Sequence, residues 1–522
     1  MIKEVDLLNQ ASAFKKNNCF LSSEDLFFSF DSFKKLDQVD QADKKHALKC
    51  LIKLFECDVY SVILYDLLSN NIFTKKEWEK IEAEILRSKH NKKQSRSRFV
   101  NNLIKHYHLS KYIINVDLGE SVLFISTISG SVIRLEQDKA SDLKHFNVAA
   151  FKTDELSTLI KMGFISCEDE YSLIQKTKKR VIEEIDKQPL GISILTTTGC
   201  NARCYYCYEK GIAISTLNEA TANKIVNFIQ NRNNNKKVHL AWFGGEPLLN
   251  NKIIDYICDE LNKLNIEYYS SMISNGFLFK EISAERLQKW NLKKVQITLD
   301  GVDKKYDSVK KFVGVESAFC TIVNNIHYLL NNKISVVIRV NFDPDNLKIS
   351  EDVLDFVYKE FGTENKLLSI YCVNIVDGNV KSSFNFSNET NPQFLLTKKL
   401  IDYGYIRNIY SLGIRPKKTY CGIYHNYYVV DPNGAVFKCE HTCKNLSETV
   451  GNIDEEFDEA KIDKWLSLTN PFEECEKCVL YPCCQGGCKS LAEKYGMDRI
   501  CLPCKNYIEE AIKYLYTSGK KE

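Results

Sequence analysis

Between residues 1 and 108 apolar side chains return every third or fourth position, as in His46-Ala-Leu-Lys-Cys-Leu-Ile-Lys-Leu-Phe55 and Glu77-Trp-Glu-Lys-Ile-Glu-Ala-Glu-Ile-Leu86. That spacing predicts helices with one buried face. The run Lys89-His-Asn-Lys-Lys-Gln-Ser-Arg-Ser-Arg98 is polar and basic, a solvated loop or helix end able to meet an acidic peptide. From residue 109 the period shortens. Tyr112-Ile-Ile-Asn-Val-Asp117, Ser121-Val-Leu-Phe-Ile-Ser126 and Ser131-Val-Ile-Arg-Leu135 read as short strands separated by Gly119 and Ser129-Gly130. Helical spacing resumes over Glu155–Lys161 and Ser172–Arg180, the latter bridging to the next region.

Residues 188–410 alternate strands with helices, the rhythm of a parallel α/β barrel. Six strands are predicted, at Ile192–Thr197, Val238–Phe243, Ser270–Ser274, Lys294–Leu299, Ser335–Asn341 and Leu368–Val373. Helices such as Asn218–Gln230 and Lys252–Leu264 lie between them. Right-handed crossovers then bring every strand's carboxyl end to one rim, where such barrels carry their chemistry. Cys200 follows the first strand, Gly244 the second, Asn275 the third and Asp300 the fourth.

At 522 residues, 44% hydrophobic and 27% charged, the composition is that of an ordinary soluble chain of several domains. A formal charge of +3 gives no footprint for nucleic acid, and no apolar run reaches membrane-spanning length. The opening Met-Ile-Lys-Glu-Val-Asp lacks a signal-peptide pattern, so the expected location is the cytoplasm. Cysteine changes the picture. Of 20 cysteines, three lie at 200–207 and ten at 421–504, a clustering that suits metal or iron-sulfur ligation more than disulfides. Cys19, Cys50, Cys57, Cys167, Cys258, Cys320 and Cys372 are expected to be small buried hydrophobes.

Cys200-Asn-Ala-Arg-Cys204-Tyr-Tyr-Cys207 puts three thiols on one tight loop leaving a strand. A 4Fe-4S cluster takes four cysteines, so three leave one iron for a ligand that is not protein. The competing zinc knuckle asks for a fourth Cys or His close by. The spacing, with aromatic Tyr206 before the third cysteine, resembles the radical S-adenosylmethionine (SAM) enzymes. That resemblance implies that SAM chelates the free iron and that one-electron reduction cleaves it to methionine and a 5′-deoxyadenosyl radical. It also implies an external reductant such as flavodoxin or ferredoxin. Gly244-Gly245-Glu246-Pro247 matches the family's turn for the SAM amino group; glycines permit close backbone approach, and the carboxylate accepts hydrogen bonds from an ammonium. By the same resemblance Ser274 and Thr298 lie near the methionine or ribose of SAM. Where the family runs His-Asp-x-x-Arg this chain has Tyr306-Asp307-Ser-Val-Lys310, leaving Lys310 or Arg339 as partner for the SAM carboxylate.

Cys475, Cys478, Cys484 and Cys488, with two, five and three residues between them, match the SPASM domain, the auxiliary-cluster extension of peptide-modifying radical SAM enzymes. The resemblance implies two auxiliary 4Fe-4S clusters. Cys421, Cys439 and Cys488 would hold the first; Arg415 stands where the family often has a fourth ligand, so an iron is open or Cys443 is recruited. Cys475, Cys478, Cys484 and one of Cys501 or Cys504, Cys504 preferred, would hold the second, with Cys483 a spare thiol. Glu440 stands where related sulfatase-maturing enzymes carry their base. Residues 109–187 resemble a winged-helix peptide-recognition module, which implies that 109–180 bind the leader of a precursor peptide as an added strand; a purely structural wing is the competing reading. The expected architecture is therefore a helical region (1–108), a winged module (109–187), a partial (β/α)6 TIM-type barrel (188–410) and a Cys-rich SPASM domain (411–522). The expected function is a radical SAM maturase installing a thioether or carbon-carbon crosslink in a ribosomally made peptide. The alternatives are an anaerobic sulfatase-maturing, formylglycine-forming enzyme and a non-catalytic iron-sulfur peptide-binding scaffold.

Overall fold

A computed structural model describes residues 100–518, apart from 102, 208, 234–235, 375–389, 422–424, 444, 467–472 and 495–499. The helices expected over 46–55 and 77–86, the basic run 89–98, and Cys19, Cys50 and Cys57 lie outside the described residues. The chain divides into two compact units between Leu173 and Ile174.

In the first unit a two-residue strand β1 (His108–Leu109) is followed by β2 (Ile113–Asp117), β3 (Ser121–Ser126) and β4 (Val132–Glu136). The last three form an antiparallel meander in the order β2-β3-β4. Asp117 Oδ1 accepts from the Gly119 amide at 2.8 Å and Gly119 takes a φ of 93°, so the β2–β3 turn needs its glycine. Helices α1 (Gln137–Lys144) and α2 (Thr153–Lys161) pack Leu143, Leu156 and Leu159 against Val122 and Phe124. A short β5 (Ile165–Ser166) then returns to pair with β1, a pairing too brief to show in the residue pattern. Helix α3 (Glu170–Glu183) crosses the division, its residues from Ile174 onward belonging to the second unit.

The second unit is built on one sheet. Six parallel strands, β6 (Gly191–Thr197), β7 (Val238–Gly244), β8 (Tyr268–Ser274), β9 (Leu292–Thr298), β10 (Ser335–Phe342) and β11 (Leu368–Asn374), fall within two residues of their expected bounds. Helices α4 (Glu219–Arg232), α5 (Asn251–Lys263), α6 (Ala284–Lys289), α7 (Asp303–Lys310), α8 (Phe319–Asn331) and α9 (Leu347–Phe361) lie between them, and α10 (Pro392–Asp402) follows β11. Asn218 caps α4 by accepting from the Thr221 amide at 2.9 Å. Parallel sheets are ordinarily covered on both faces and read as continuous apolar runs. Here the strands alternate. Tyr268, Ser270, Met272 and Ser274 of β8 are buried, while Tyr269 and Ile273 between them are exposed and Ser271 is half-buried. On β9 and β10, Val295, Ile297, Val336, Ile338 and Val340 are buried, while Gln296, Thr298, Val337 and Arg339 are half-buried. One face carries the core; the other is polar and open, as a partial barrel with an accessible interior requires.

Three further strands were not anticipated: β12 (Tyr427–Val430), β13 (Ala435–Phe437) and β14 (Gly451–Asn452). The full order is β11-β10-β9-β8-β7-β6-β12-β13-β14, with β12 parallel to β6 and β13 and β14 antiparallel. The cysteine-rich region thus continues the barrel sheet, leaving the sheet partly open between its two edges. These strands are two to four residues long, too short for a period to show. The isolated cysteines also need correction: Cys258 and Cys372 are buried, but Cys167 is partly buried and Cys320, in the first turn of α8, is exposed.

Candidate active site

The loop after β6 and the turn after β7 are locked together by backbone. The Gly245 amide donates to Thr197 O at 3.0 Å and the Glu246 amide to Gly199 O at 2.9 Å. A Cβ at Gly244 would meet Thr197 O at 2.2 Å and one at Gly245 would meet Gly199 O at 2.3 Å. In the fold the two glycines admit the backbone of the cysteine loop. Thr196 Oγ1 holds Pro247 O at 2.9 Å.

Glu246 is fully buried. Its carboxylate accepts from Ser274 Oγ at 2.9 and 3.1 Å, the Asn275 amide at 2.8 Å and the Leu248 amide at 3.2 Å. Desolvation pushes it up to about 7, against the pull of the Asn275, Leu248 and Ser274 hydrogen bonds. Glu246, the candidate for a ligand ammonium, pins the turn after β8. Asn275, fixed by that turn, donates from Nδ2 to Asn201 Oδ1 at 2.7 Å and lies 4.0 Å from Cys200 Sγ.

The other side of the loop rests on α7. The Arg203 amide donates to Lys310 O at 2.8 Å and the Val313 amide to Asn201 O at 2.9 Å. Lys310 Nζ lies 2.8 Å from Asp300 Oδ2 and 2.7 Å from Tyr206 OH, and Tyr206 donates to the same carboxylate. Burial works against the Lys310 charge, but Asp300, then Tyr206 and Tyr306, outweigh it and hold the ammonium well above its ordinary range. Lys310, a candidate partner for a ligand carboxylate, pairs with Asp300, a residue the sequence marked only as a strand end. The remaining candidates, Thr298 and Arg339, are register partners on the open face of β9 and β10, with Arg339 Nε donating to Asn341 Oδ1 at 2.8 Å.

Cys200, Cys204 and Cys207 are partly buried and free of disulfides. The Ala202 amide donates to Cys200 Sγ at 3.4 Å. Burial pushes Cys200 up to about 11, with Glu246, Cys204 and Cys207 adding to it, and raises Cys207 as well. Iron binding would therefore displace thiol protons. Among the described residues no three Cys, His, Asp or Glu side chains converge closely enough to hold a single ion. Three thiols on one loop, with an N–H donor on the Cys200 sulfur, are the donor chemistry that would hold an iron-sulfur cluster.

In the C-terminal region Tyr427 OH donates to Glu440 Oε1 at 2.8 Å, and Tyr427 shares an apolar cluster with Leu195, Phe243, Val429, Phe437 and Cys443. Cys443 is raised by burial, then by Cys439, Glu440, Asp431 and Glu209. Glu209, just beyond Cys207, is itself pushed up to about 7 by burial. Tyr427 and Glu209 carried no sequence signal. Burial raises Cys439, Cys484 and Cys504, and neighbouring thiols add to it in two groupings, Cys488 and Cys421 at Cys439, and Cys501 and Cys478 at Cys484, with Cys484 also adding at Cys504. Gly487 makes the second grouping possible. Its φ is 82° and a Cβ there would meet Ile500 O at 1.9 Å, so only glycine lets the 500–504 segment bridge to the 484–488 loop.

Residues 194–357 match the Radical SAM superfamily. Over 456 residues the chain is 23% identical to the radical SAM cyclopropyl synthase TigE of Paramaledivibacter caminithermalis, covering 74% of this chain and 91% of that protein. It is also 23% identical over 377 residues to the cysteine-type anaerobic sulfatase-maturating enzyme of Clostridium perfringens (strain ATCC 13124), covering 63% of this chain and 97% of that one. The structure of native anSMEcpe with bound AdoMet and Kp18Cys peptide shares the fold at a TM-score of 0.51 and 20% identity, over 63% of this chain and 98% of that one. Among the described residues no helix is long and apolar enough to cross a membrane. Residues 194–357, with the cysteine loop and its braces inside them, are a radical SAM domain, and the chain that carries it is an enzyme.

Proposed function

We propose that this enzyme is a peptide maturase that installs a thioether or carbon-carbon crosslink in a ribosomally made precursor. When SAM and the loop cluster are bound, they supply a 5′-deoxyadenosyl radical that abstracts hydrogen from the peptide. The chain's own residues hold and shield that chemistry. Cys200, Cys204 and Cys207 bind the cluster; Glu246 and Lys310 hold its loop from behind; Thr298 and Arg339, on the open face, meet SAM together with the 244–247 turn. Cys421, Cys439 and Cys488 take a first auxiliary cluster, and Cys475, Cys478, Cys484 and Cys504 a second. Glu440 accepts a proton from the peptide while Tyr427 orients its carboxylate.

The observation that carries this reading is the pairing of β12 with β6. It makes the cysteine-rich region part of the barrel wall and sets Tyr427, hydrogen-bonded to Glu440, among the side chains of β6 and β7. Auxiliary clusters beside the barrel suit a reaction that removes a second electron as a bond closes. Among the described residues of the first unit, β4 is an outer strand of the meander, suited to receive a leader peptide as an added strand. A flavodoxin or ferredoxin would supply the first electron.

Formylglycine formation is the second reading, favoured by the sulfatase-maturating relative that the chain matches over 97% of its length. Product mass separates the two. Anaerobic turnover of a Cys-containing precursor peptide should remove two hydrogens and retain sulfur; loss of the cysteine sulfur with a new aldehyde would refute crosslinking. The leader role has its own test: excision of residues 109–180 should weaken leader binding, and unchanged affinity would sink it.

A further inference from the structure

Large apolar side chains left in water gather around one place in the second unit. Tyr205, between Cys204 and Cys207, is 57% exposed; Ile214, on the segment returning from the cysteine loop, is 75% exposed; Val313, just past α7, is 59% exposed. Backbone contacts tie all three to the loop. Ile214 Cγ2 lies 3.4 Å from where a Cβ on Gly199 would stand, and the Thr198 amide donates to Ser215 O at 2.9 Å, which fixes Ile214 beside the start of the loop. The Val313 amide donates to Asn201 O at 2.9 Å. One exposed apolar residue is ordinary, but several around one loop mark a surface that meets a partner.

Three cations stand among them. Arg203 and Lys210 are exposed on the loop and its exit, and Lys311 is exposed directly after α7. Arg203 Nη1 donates to Cys200 O at 2.6 Å and Ala202 O at 2.8 Å, so carbonyls fix the guanidinium across the loop without neutralising it. The Lys210 amide donates to Cys207 O at 3.2 Å, and Lys310 O, just before Lys311, accepts from the Arg203 amide at 2.8 Å, so both lysines flank the loop. Among the described residues of 199–214 and 303–316, the exposed charges are five cations, these three with Lys304 and Lys305, against two acids, Asp303 and Glu316. Apolar and positive positions interleaved in this way suit an acidic protein that docks briefly.

We propose that this surface docks a small acidic, low-potential electron carrier of the flavodoxin kind. This rests on the radical reading of the loop given above. Arg203, Lys210 and Lys311 steer the carrier, and Tyr205, Ile214 and Val313 exclude water where it touches the loop. No atom is transferred: the carrier is oxidised by one electron, the cluster on Cys200, Cys204 and Cys207 is reduced by one, and the carrier leaves.

The test is calorimetric binding of one recombinant acidic flavodoxin to the full reconstituted chain, beside 5′-deoxyadenosine release driven by that flavodoxin or by dithionite, a small ion that needs no docking surface. Lys210→Glu with Lys311→Glu should weaken binding about tenfold or more, and Ile214→Ser about threefold or more. Salt raised from ~50 mM to ~300 mM should weaken the wild type and spare the charge-reversed variant. Flavodoxin-driven release should need correspondingly more carrier for half its rate, with dithionite-driven release as in the wild type. Lys263→Glu, an exposed lysine at the end of α5 that leads into the amino end of β8, should bind as the wild type does. A wild type that binds no flavodoxin, loop variants with full iron that bind within twofold of it, or equal weakening by Lys263→Glu each overturn the proposal. If the charge-reversed variant fails to load iron, Ile214→Ser decides: weaker binding with full iron supports the proposal and unchanged binding overturns it. Failure of the radical reading shows separately, as a fully loaded wild type that releases no 5′-deoxyadenosine with dithionite.

Discussion

Replacing Lys310 by methionine tests the buried pair that braces the cysteine loop. The side chains of Lys310 and Asp300 are 4% and 2% exposed and 2.8 Å apart. Tyr206, between Cys204 and Cys207, bonds to both. With the ammonium gone, Asp300 keeps, among the described residues, only the Tyr206 hydroxyl and the Asn341 amide, the latter at 3.3 Å. An unpaired charge in so enclosed a site costs ~3–5 kcal/mol. Asp300→Asn leaves the opposite charge stranded at comparable cost. Lys310→Met with Asp300→Asn strands neither, and replacing a buried pair by neutral groups is often close to neutral. The double variant should therefore recover most of the loss, giving a coupling of ~2–4 kcal/mol. Urea unfolding of the iron-free chain, followed by tryptophan fluorescence, reads this directly, because Trp242 and Trp290 are fully buried in the barrel. Iron per chain after reconstitution reads the consequence for the loop. Each single variant should load the loop poorly and the double variant should regain part of the loading. Single losses that simply add, with coupling below ~0.5 kcal/mol, would refute the brace.

Gly245→Ala drives a Cβ to 2.3 Å from Gly199 O, so the β6 and β7 loops must part and the two backbone bonds between them weaken, a loss of ~2 kcal/mol. Thermal melting should show that loss together with poor iron loading; wild-type values for both would contradict the packing role. Glu246 bears on pH. Its folded value of about 7 lies above its ordinary 4.5, so between those values the folded chain holds a proton that the unfolded chain has released. Its contribution is full below about pH 4.5 and lost as pH rises through about 7, worth ~3 kcal/mol. Glu246→Gln should flatten that slope in melting temperatures between pH 5 and pH 8, and an unchanged slope would remove Glu246 as its source. Glu440→Gln should keep 5′-deoxyadenosine release while slowing peptide product by ~100-fold or more; equal product yield would exclude it as the base.

The six parallel strands were legible because each is seven or eight residues long and ends in a residue of chemical character, such as Ser274. The cysteine loop was legible by spacing alone. The partners of Glu246 and Lys310 were not. A sequence shows that a carboxylate follows two glycines; it does not show that Ser274 and Asn275, on the next strand, will saturate it. The departure from arginine at Lys310 was visible. Its reason was not, since a lysine serves Asp300 and Tyr206 through contacts that depend on how α7 folds back onto the loop. Strands β12 to β14 escaped because pairing with β6, a contact far away in sequence, defines them rather than any period of their own.

The central claim is that Cys200, Cys204 and Cys207 hold a cluster that drives SAM cleavage. Anaerobically reconstituted protein, supplied with dithionite and SAM, is assayed for 5′-deoxyadenosine beside Cys204→Ala. The account predicts release from the wild type and none from the variant, with auxiliary iron retained in both. A fully loaded wild-type enzyme that releases none, or a variant that releases as much, would contradict it.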